Sequence, residues 1–471
     1  MNAQARAQVS IRPIVAGLPF AAVAAGVGFL SALKMRAGLA VAALTAAGIL
    51  MLYPWWALVL ATALTPFQTD LTGSSIGGLN VGLPDLLVAL TVAGLVPLVL
   101  LQESWRSRLA DARPALWWTL PFLLWLTIVV IDHPSATSAA NAVQYAELTA
   151  LTIALGAAVF DNRLARFAIC GFIGVASLVA VLWIADIGRN HLGDKNPVGQ
   201  FMVDAALLSL VVIKRARYRY PIVLLLVVGI LYTESRGAVL GATIGVVVLL
   251  AFRGLGTWRR TVGVLVPIAI IVIVGYNVVP HSLRERVQST FSAVGLGPQT
   301  PEAQQNPNSD TPSGDLTPSQ YTVQLRTIYR REGIAYVRQH PWFGVGLGSY
   351  LTGNQADGTL TNQPHEVLIL EAGEGGVPEM VLFLVMLAGT AAVVIRRANR
   401  SPWAGAALAV QAAIVTHGLV DVYWVRGTPF IGWLLVGMAL NRRLDRPDDG
   451  AGEPTSTDMR QPRPATAYVL T

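Results

Sequence analysis

The chain has 471 residues, 54% of them hydrophobic and only 13% charged. Soluble domains carry about a quarter charged residues, so most of this surface does not face water and an ordinary soluble enzyme is excluded. The net charge of +7 does not indicate a nucleic-acid partner, because Lys and Arg gather in short loops between apolar runs, where they act as topology determinants.

Apolar runs long enough to cross a bilayer recur from end to end. They cover residues 13–33, 37–64 (interrupted near Pro54, hence one tilted helix or two short ones), 83–101, 115–131, 142–160, 167–187, 198–213, 221–232, 238–252, 262–279, 377–395, 403–419 and 429–440. This pattern predicts an all-α, polytopic helical membrane protein of about 12–14 transmembrane helices; a β-barrel would show alternating segments instead. The first 13 residues, with Arg6 and Arg12, do not form a cleavable signal, so the first run is expected to stay as an anchor. Cys170 is the single cysteine, which excludes an intrachain disulfide and a multi-cysteine metal site.

Loops 102–113, 161–166, 214–219, 253–260, 396–400 and 442–446 are basic, whereas 65–84 and 132–138 contain no Lys or Arg. The basic loops are therefore expected to be cytoplasmic, with the loops that hold His191, Arg236 and the long polar segment on the outer side of a cytoplasmic (inner) membrane. The N-terminal orientation stays open, because Lys34 and Arg36 compete with Arg6 and Arg12. Four regions follow: a bundle over 1–279, a large extracytoplasmic loop over 280–376, C-terminal helices over 377–441, and a disordered cytoplasmic tail over 442–471. Within the large loop, 295–320 is a flexible insert rich in Pro, Gln, Asn, Ser and Gly. The stretch 321–376 is ordered by pattern: Leu325, Ile328, Tyr329 and Tyr336 fall near one helical stripe, Arg326 and Arg330 share another face, and Pro341 ends the helix before a glycine-rich turn at 343–348.

Several polar residues stand where chemistry is possible. Arg236 lies between two short spans, where a guanidinium either snorkels to headgroups or grips phosphate through its planar fork of donors. Arg284, Arg286 and Arg326 could join it around a diphosphate; for Arg284 and Arg286 a headgroup-facing cluster is the equal alternative. His365 follows Pro364 and precedes Glu366. A histidine suits abstraction of a hydroxyl proton near neutral pH, with Glu366 orienting it or acting as a base; otherwise His365 is a structural residue at a helix start. His191, Asp194 and Lys195 sit in an outer loop, able to touch a glycan or simply solvated. Trp342 can stack on a sugar or anchor at the interface. His417 and Asp421, four apart, read as a bundle-interior polar pair or a proton path. No metal motif and no cofactor motif is present.

At these residues the chain resembles the O-antigen ligase and O-antigen polymerase superfamily of bacterial membrane glycosyltransferases. The resemblance rests on Asn196-Pro197-Val198-Gly199, on Ser235-Arg236-Gly237-Ala238, on Arg326 followed by His340-Pro341-Trp342-Phe343-Gly344-Val345-Gly346, and on Pro364-His365-Glu366 followed by Glu371-Ala372-Gly373 and Gly376. It spans about residues 196–383. It implies a GT-C-like fold and metal-independent transfer of a glycan from an undecaprenyl-type polyprenyl-pyrophosphate carrier to an acceptor hydroxyl, among membrane lipids. On this resemblance Arg236 and Arg326, with Arg286, bind the pyrophosphate, and His365 is the base. The family often has Asn after this histidine, where Glu366 stands here. The same residues fit a polymerase of lipid-linked repeat units; a transporter or lipid-glycan flippase would instead place functional charge inside the spans, which here read as largely uncharged.

Overall fold

The computed structural model describes residues 45–66, 75–76, 79–80, 82–187, 195–253, 318–352, 364–398, 400–420 and 429–445. The expected spans 13–33 and 262–279, most of the insert 295–320 and the tail beyond Asp445 lie outside these residues, as do Arg284, Arg286, His191, Asp194 and Asp421.

Every expected span that falls within the described residues coincides with a helix. The apolar block ending at Leu64 is two helices, α1 (Thr45–Leu52) and α2 (Pro54–Leu64), bent by 113°. Pro54 causes the break, since it lacks an N–H and restricts the residue before it. A two-residue antiparallel hairpin, β1 (Ser75–Ile76) and β2 (Leu79–Asn80), pairs Ser75 with Asn80 and Ile76 with Leu79. Then follow α3 (Leu83–Leu101), α4 (Glu103–Ala110), α5 (Arg113–Asp132) and α6 (Ala136–Ala146), a π turn (Glu147–Leu151), α7 (Thr152–Val159) and α8 (Asn162–Ile184). Helix starts are set by local caps: Asp85 accepts the Gly82 N–H at 2.7 Å, Ser135 the Ser138 N–H at 3.0 Å, and Asp161 the Leu164 N–H at 2.8 Å.

The second half holds α9 (Lys195–Val212), α10 (Ala216–Thr233), α11 (Arg236–Arg253), α12 (Pro318–Gln339), α13 (Ser349–Thr352), α14 (Val367–Ile395), α15 (Ala404–Gly418), α16 (Phe430–Leu440) and a 3₁₀ turn (Arg442–Asp445). Six helices are long and apolar enough to cross a membrane, or seven with the bent pair as one span, alongside three shorter apolar helices, all among the described residues. Large side chains such as Leu101, Trp117 and Ile131 are exposed, the surface a lipid phase covers. Helix α9 is different: nearly its whole circumference is buried, between α8, α10, α11 and α15.

Helix α14 corrects the sequence reading in one respect. It begins ten residues before the span expected from Val377 and is kinked at Gly376, whose φ of 82° and ψ of 172° are non-helical. It thereby adds Glu371 and Glu374 to the helix; these and Glu379, already within the expected span, are all buried. With buried Asp204 on α9, these put carboxyls inside helices that hydropathy reads as uncharged. The protein supplies hydrogen-bond partners for three of them: Glu371 accepts from the Tyr145 hydroxyl at 2.6 Å, Glu374 accepts the Gly348 and Tyr350 N–H groups, and Asp204 accepts from the Gln200 amide at 2.8 Å.

The bundle has two chemically distinct ends. At one, Arg442 pairs with Asp111 at 3.2 Å, Arg397 pairs with Asp445, Arg443 donates to the Ala158 carbonyl, and Asn441 donates to the Phe160 carbonyl at 2.8 Å. These are the loops rich in Lys and Arg. The other end holds the N-termini of α11 and α14 and the C-terminus of α15.

Candidate active site

Helix α12 presents Arg326, Tyr329, Arg330 and Gly333 along one strip, spaced by three and four residues. That strip meets the entry to α14. The Tyr329 ring stacks on His365 with centroids 6.2 Å apart and planes at 28°. Arg330 Nε lies 3.2 Å from Glu366 Oε1. A Cβ on Gly333 would fall 2.5 Å from Ile369 Cγ2, so α12 reaches α14 closely only through a glycine. Tyr329 therefore shares its working face with the two arginines rather than standing apart from them, because the strip is a contact face between helices and not an apolar stripe.

Beyond Gln339 the chain turns back on α14. Val345 N–H donates to the Gly373 carbonyl at 2.9 Å, Gly346 N–H to the Glu374 carbonyl at 2.9 Å, and Val377 N–H to the Pro341 carbonyl at 2.8 Å. The last bond closes over the Gly376 kink, and a Cβ on Gly376 would lie 2.1 Å from the Trp342 carbonyl oxygen. From the other side, Trp125 Nε1 donates to the Gly375 carbonyl at 2.8 Å while its ring stacks on Phe343 at 5.7 Å. The glycine turn thus fastens α12, α14 and the α5–α6 corner together.

Arg236 opens α11, half-buried. The motif before it packs on α9: a Cβ on Gly199 would lie 2.9 Å from Thr233 Oγ1 and 3.3 Å from Ser235 Cβ. Helix α11 then runs antiparallel to α15, with Gly237 against His417, Gly241 against Ala413 and Gly245 against Ala409. Just past the end of α15, the Val420 carbonyl accepts a hydrogen bond from Arg326 Nη1 at 3.4 Å. One helix end is therefore flanked by both arginine-bearing segments.

The structure consequently brings Arg236, Arg326 and His365 to the same end of the bundle through an unbroken run of contacts: Gly237 to His417, Val420 to Arg326, Tyr329 to His365. This end is opposite the basic loops. Lys195, exposed at the start of α9, is at this end as well. Trp342 is 69% exposed on the glycine turn. Glu366 is engaged by Arg330. Arg284, Arg286 and His191 lie outside the described residues.

Two buried sets escaped the sequence reading. The first is Glu371, Glu374 and Glu379 with Tyr145; its signal was carboxylates spaced by three and five residues beside an apolar run. The second joins Gln200 and Asp204 to His417, whose expected neighbour Asp421 lies outside the described residues. His417 Nδ1 is 2.9 Å from Gln200 Oε1, and Gln200 Nε2 donates to Asp204 Oδ1 at 2.8 Å. No sequence spacing links residues 217 positions apart.

Residues 221–384 match the family model described as O-antigen ligase. The matched segment takes in Arg236, Arg326 and His365 and leaves out the Asn196–Gly199 stretch and α15. No curated protein matches the chain.

Proposed function

We propose that this chain, a member of the O-antigen ligase superfamily by its domain over residues 221–384, transfers a glycan from a polyprenyl-pyrophosphate carrier to an acceptor hydroxyl at the extracytoplasmic face of the cytoplasmic membrane. The observation that carries this reading is the meeting of two separate arginine-bearing segments around one helix end, with an imidazole on the neighbouring contact strip.

The chemistry follows from those groups. The acceptor hydroxyl gives its proton to His365 while its oxygen forms a bond to the anomeric carbon. The bond from that carbon to the pyrophosphate oxygen breaks, and the electron pair leaves with the polyprenyl pyrophosphate. Inversion follows from a single displacement. Negative charge grows on the leaving group, and Arg236 and Arg326 stabilise it there, where preorganised donors accelerate a reaction most. The Tyr329 stack fixes the plane of the imidazole. The Arg330–Glu366 pair lies beside the segment that carries it. Lys195 and Trp342 stand at the same face as candidates for glycan contact.

The test is glycan transfer in membranes that contain wild-type amounts of each variant. His365→Ala is expected to lower the rate about 10²–10⁴-fold, and Arg236→Ala about 10²–10³-fold. Normal transfer by both variants rejects the assignment. Gel profiles of a strain lacking the chain identify the acceptor: loss of long chains from the final anchor marks a ligase, whereas capping by single repeats marks a polymerase.

A further inference from the structure

The buried histidine at the end of α15 has a part in this site that the matched domain does not contain. We infer that His417 is a positioning residue for the pyrophosphate-holding arginines, acting through the start of α11; this rests on the functional reading above.

His417 is fully buried, so it does not itself meet a substrate. Its ring lies against the residue that follows Arg236. A Cβ on Gly237 would be 2.1 Å from His417 Cδ2 and 2.5 Å from Nε2. The glycine is thus the allowance that lets an imidazole reach the backbone of the first turn of α11, and the imidazole in turn defines where that turn sits.

The orientation of the ring is dictated from behind. Gln200 donates its amide N–H to Asp204, so its Oε1 faces the ring. An amide oxygen only accepts, so Nδ1 of His417 carries the proton. The Nε2 edge is thereby directed at Gly237. All three side chains are fully buried, where a wrongly oriented partner is costly and the arrangement is correspondingly stiff. Three residues beyond His417, the Val420 carbonyl holds Arg326. A single helix end therefore registers one arginine against the other. A diphosphate demands such registration, because two guanidinium forks grip it well at one spacing only.

Affinity for a short polyprenyl pyrophosphate, farnesyl pyrophosphate, measured on the purified full-length protein in detergent, tests the inference. His417→Asn keeps a donor for Gln200 and removes the edge that faces Gly237. It is expected to weaken binding about tenfold per folded molecule, the scale of coupling between contacting residues. Combined with Arg236→Lys, it should add little to the loss from Arg236→Lys alone. Gly237→Ala pushes the ring away from the opposite side and serves as the second variant; it should give the same loss. Wild-type affinity in either single variant, with Arg236→Lys weakened, overturns the positioning role and leaves the pyrophosphate reading standing. Wild-type affinity in both Arg236→Lys and Arg326→Lys overturns that reading, and this inference with it. A purely structural role would lower the yield of folded protein without moving its affinity.

Discussion

Arg326 donates from Nη1 to a backbone carbonyl at 3.4 Å, which steers a flexible side chain without neutralising its charge. Its value then lies in the planar fork, since an ammonium presents a point charge on a loose stem. Arg326→Lys is expected to cut transfer about tenfold or more although the charge is kept, a change steady-state kinetics would register; equal rates would show that charge alone suffices. Glu366 makes the opposite case. Its side chain is 32% exposed and that of Arg330 60% exposed, so their pair contributes at most about 1 kcal/mol. Glu366→Gln should leave transfer within about threefold of wild type, because surface pairs of this kind carry little energy. A loss as deep as that of His365→Ala would instead make Glu366 a base.

The glycine turn and the kinked helix depend on each other. Gly376 occupies a backbone region open almost solely to glycine, and its missing Cβ is the room that the Trp342 carbonyl fills. Gly376→Ala combines backbone strain of roughly 1–3 kcal/mol with a hard overlap. The expected outcome is little detergent-stable protein on size-exclusion chromatography, and a normal profile would show the kink to be dispensable. Tyr350 lies beside the same turn, and burial together with Glu374 pushes its phenol above the ordinary tyrosine range. The docked turn then holds that proton more tightly than the released chain does. Its contribution is intact below about pH 10 and drains away as the pH climbs past the ordinary tyrosine value. Tyr350→Phe should flatten this alkaline decline, as followed by thermal stability across that range. Hydropathy showed where the apolar part of α14 lies but not where the helix begins, since Glu371 and Glu374 resemble loop until their buried partners are known.

Across the molecule, helix positions were legible because each apolar run is long and its edges carry charge or proline, as at Pro54, Asp161 and Arg215. The polarity of the bundle was legible too: among the described residues the basic loops gather at one end and the motifs at the other. Arg236, Arg326 and His365 could be named from their motifs, whereas their mutual placement could not. That placement passes through Val420, His417 and Tyr329, whose pairings span most of the second half of the chain and leave no periodic trace. The Gln200 contact of His417 was missed for the same reason, as spacing suggests a neighbour four residues away whereas the fold also supplies one from α9.

The close approach of α11 to α9 and α15 has a practical consequence for chimeras. The segment that matches the ligase domain ends at residue 384 and begins after α9, yet the first turn of α11 is cradled by Gly199, Gln200's neighbour in sequence, and by His417. A cassette cut at the borders of the match would carry the proposed site side chains into a foreign host and leave their seat behind. Exchanges between relatives should keep residues 196–420 together.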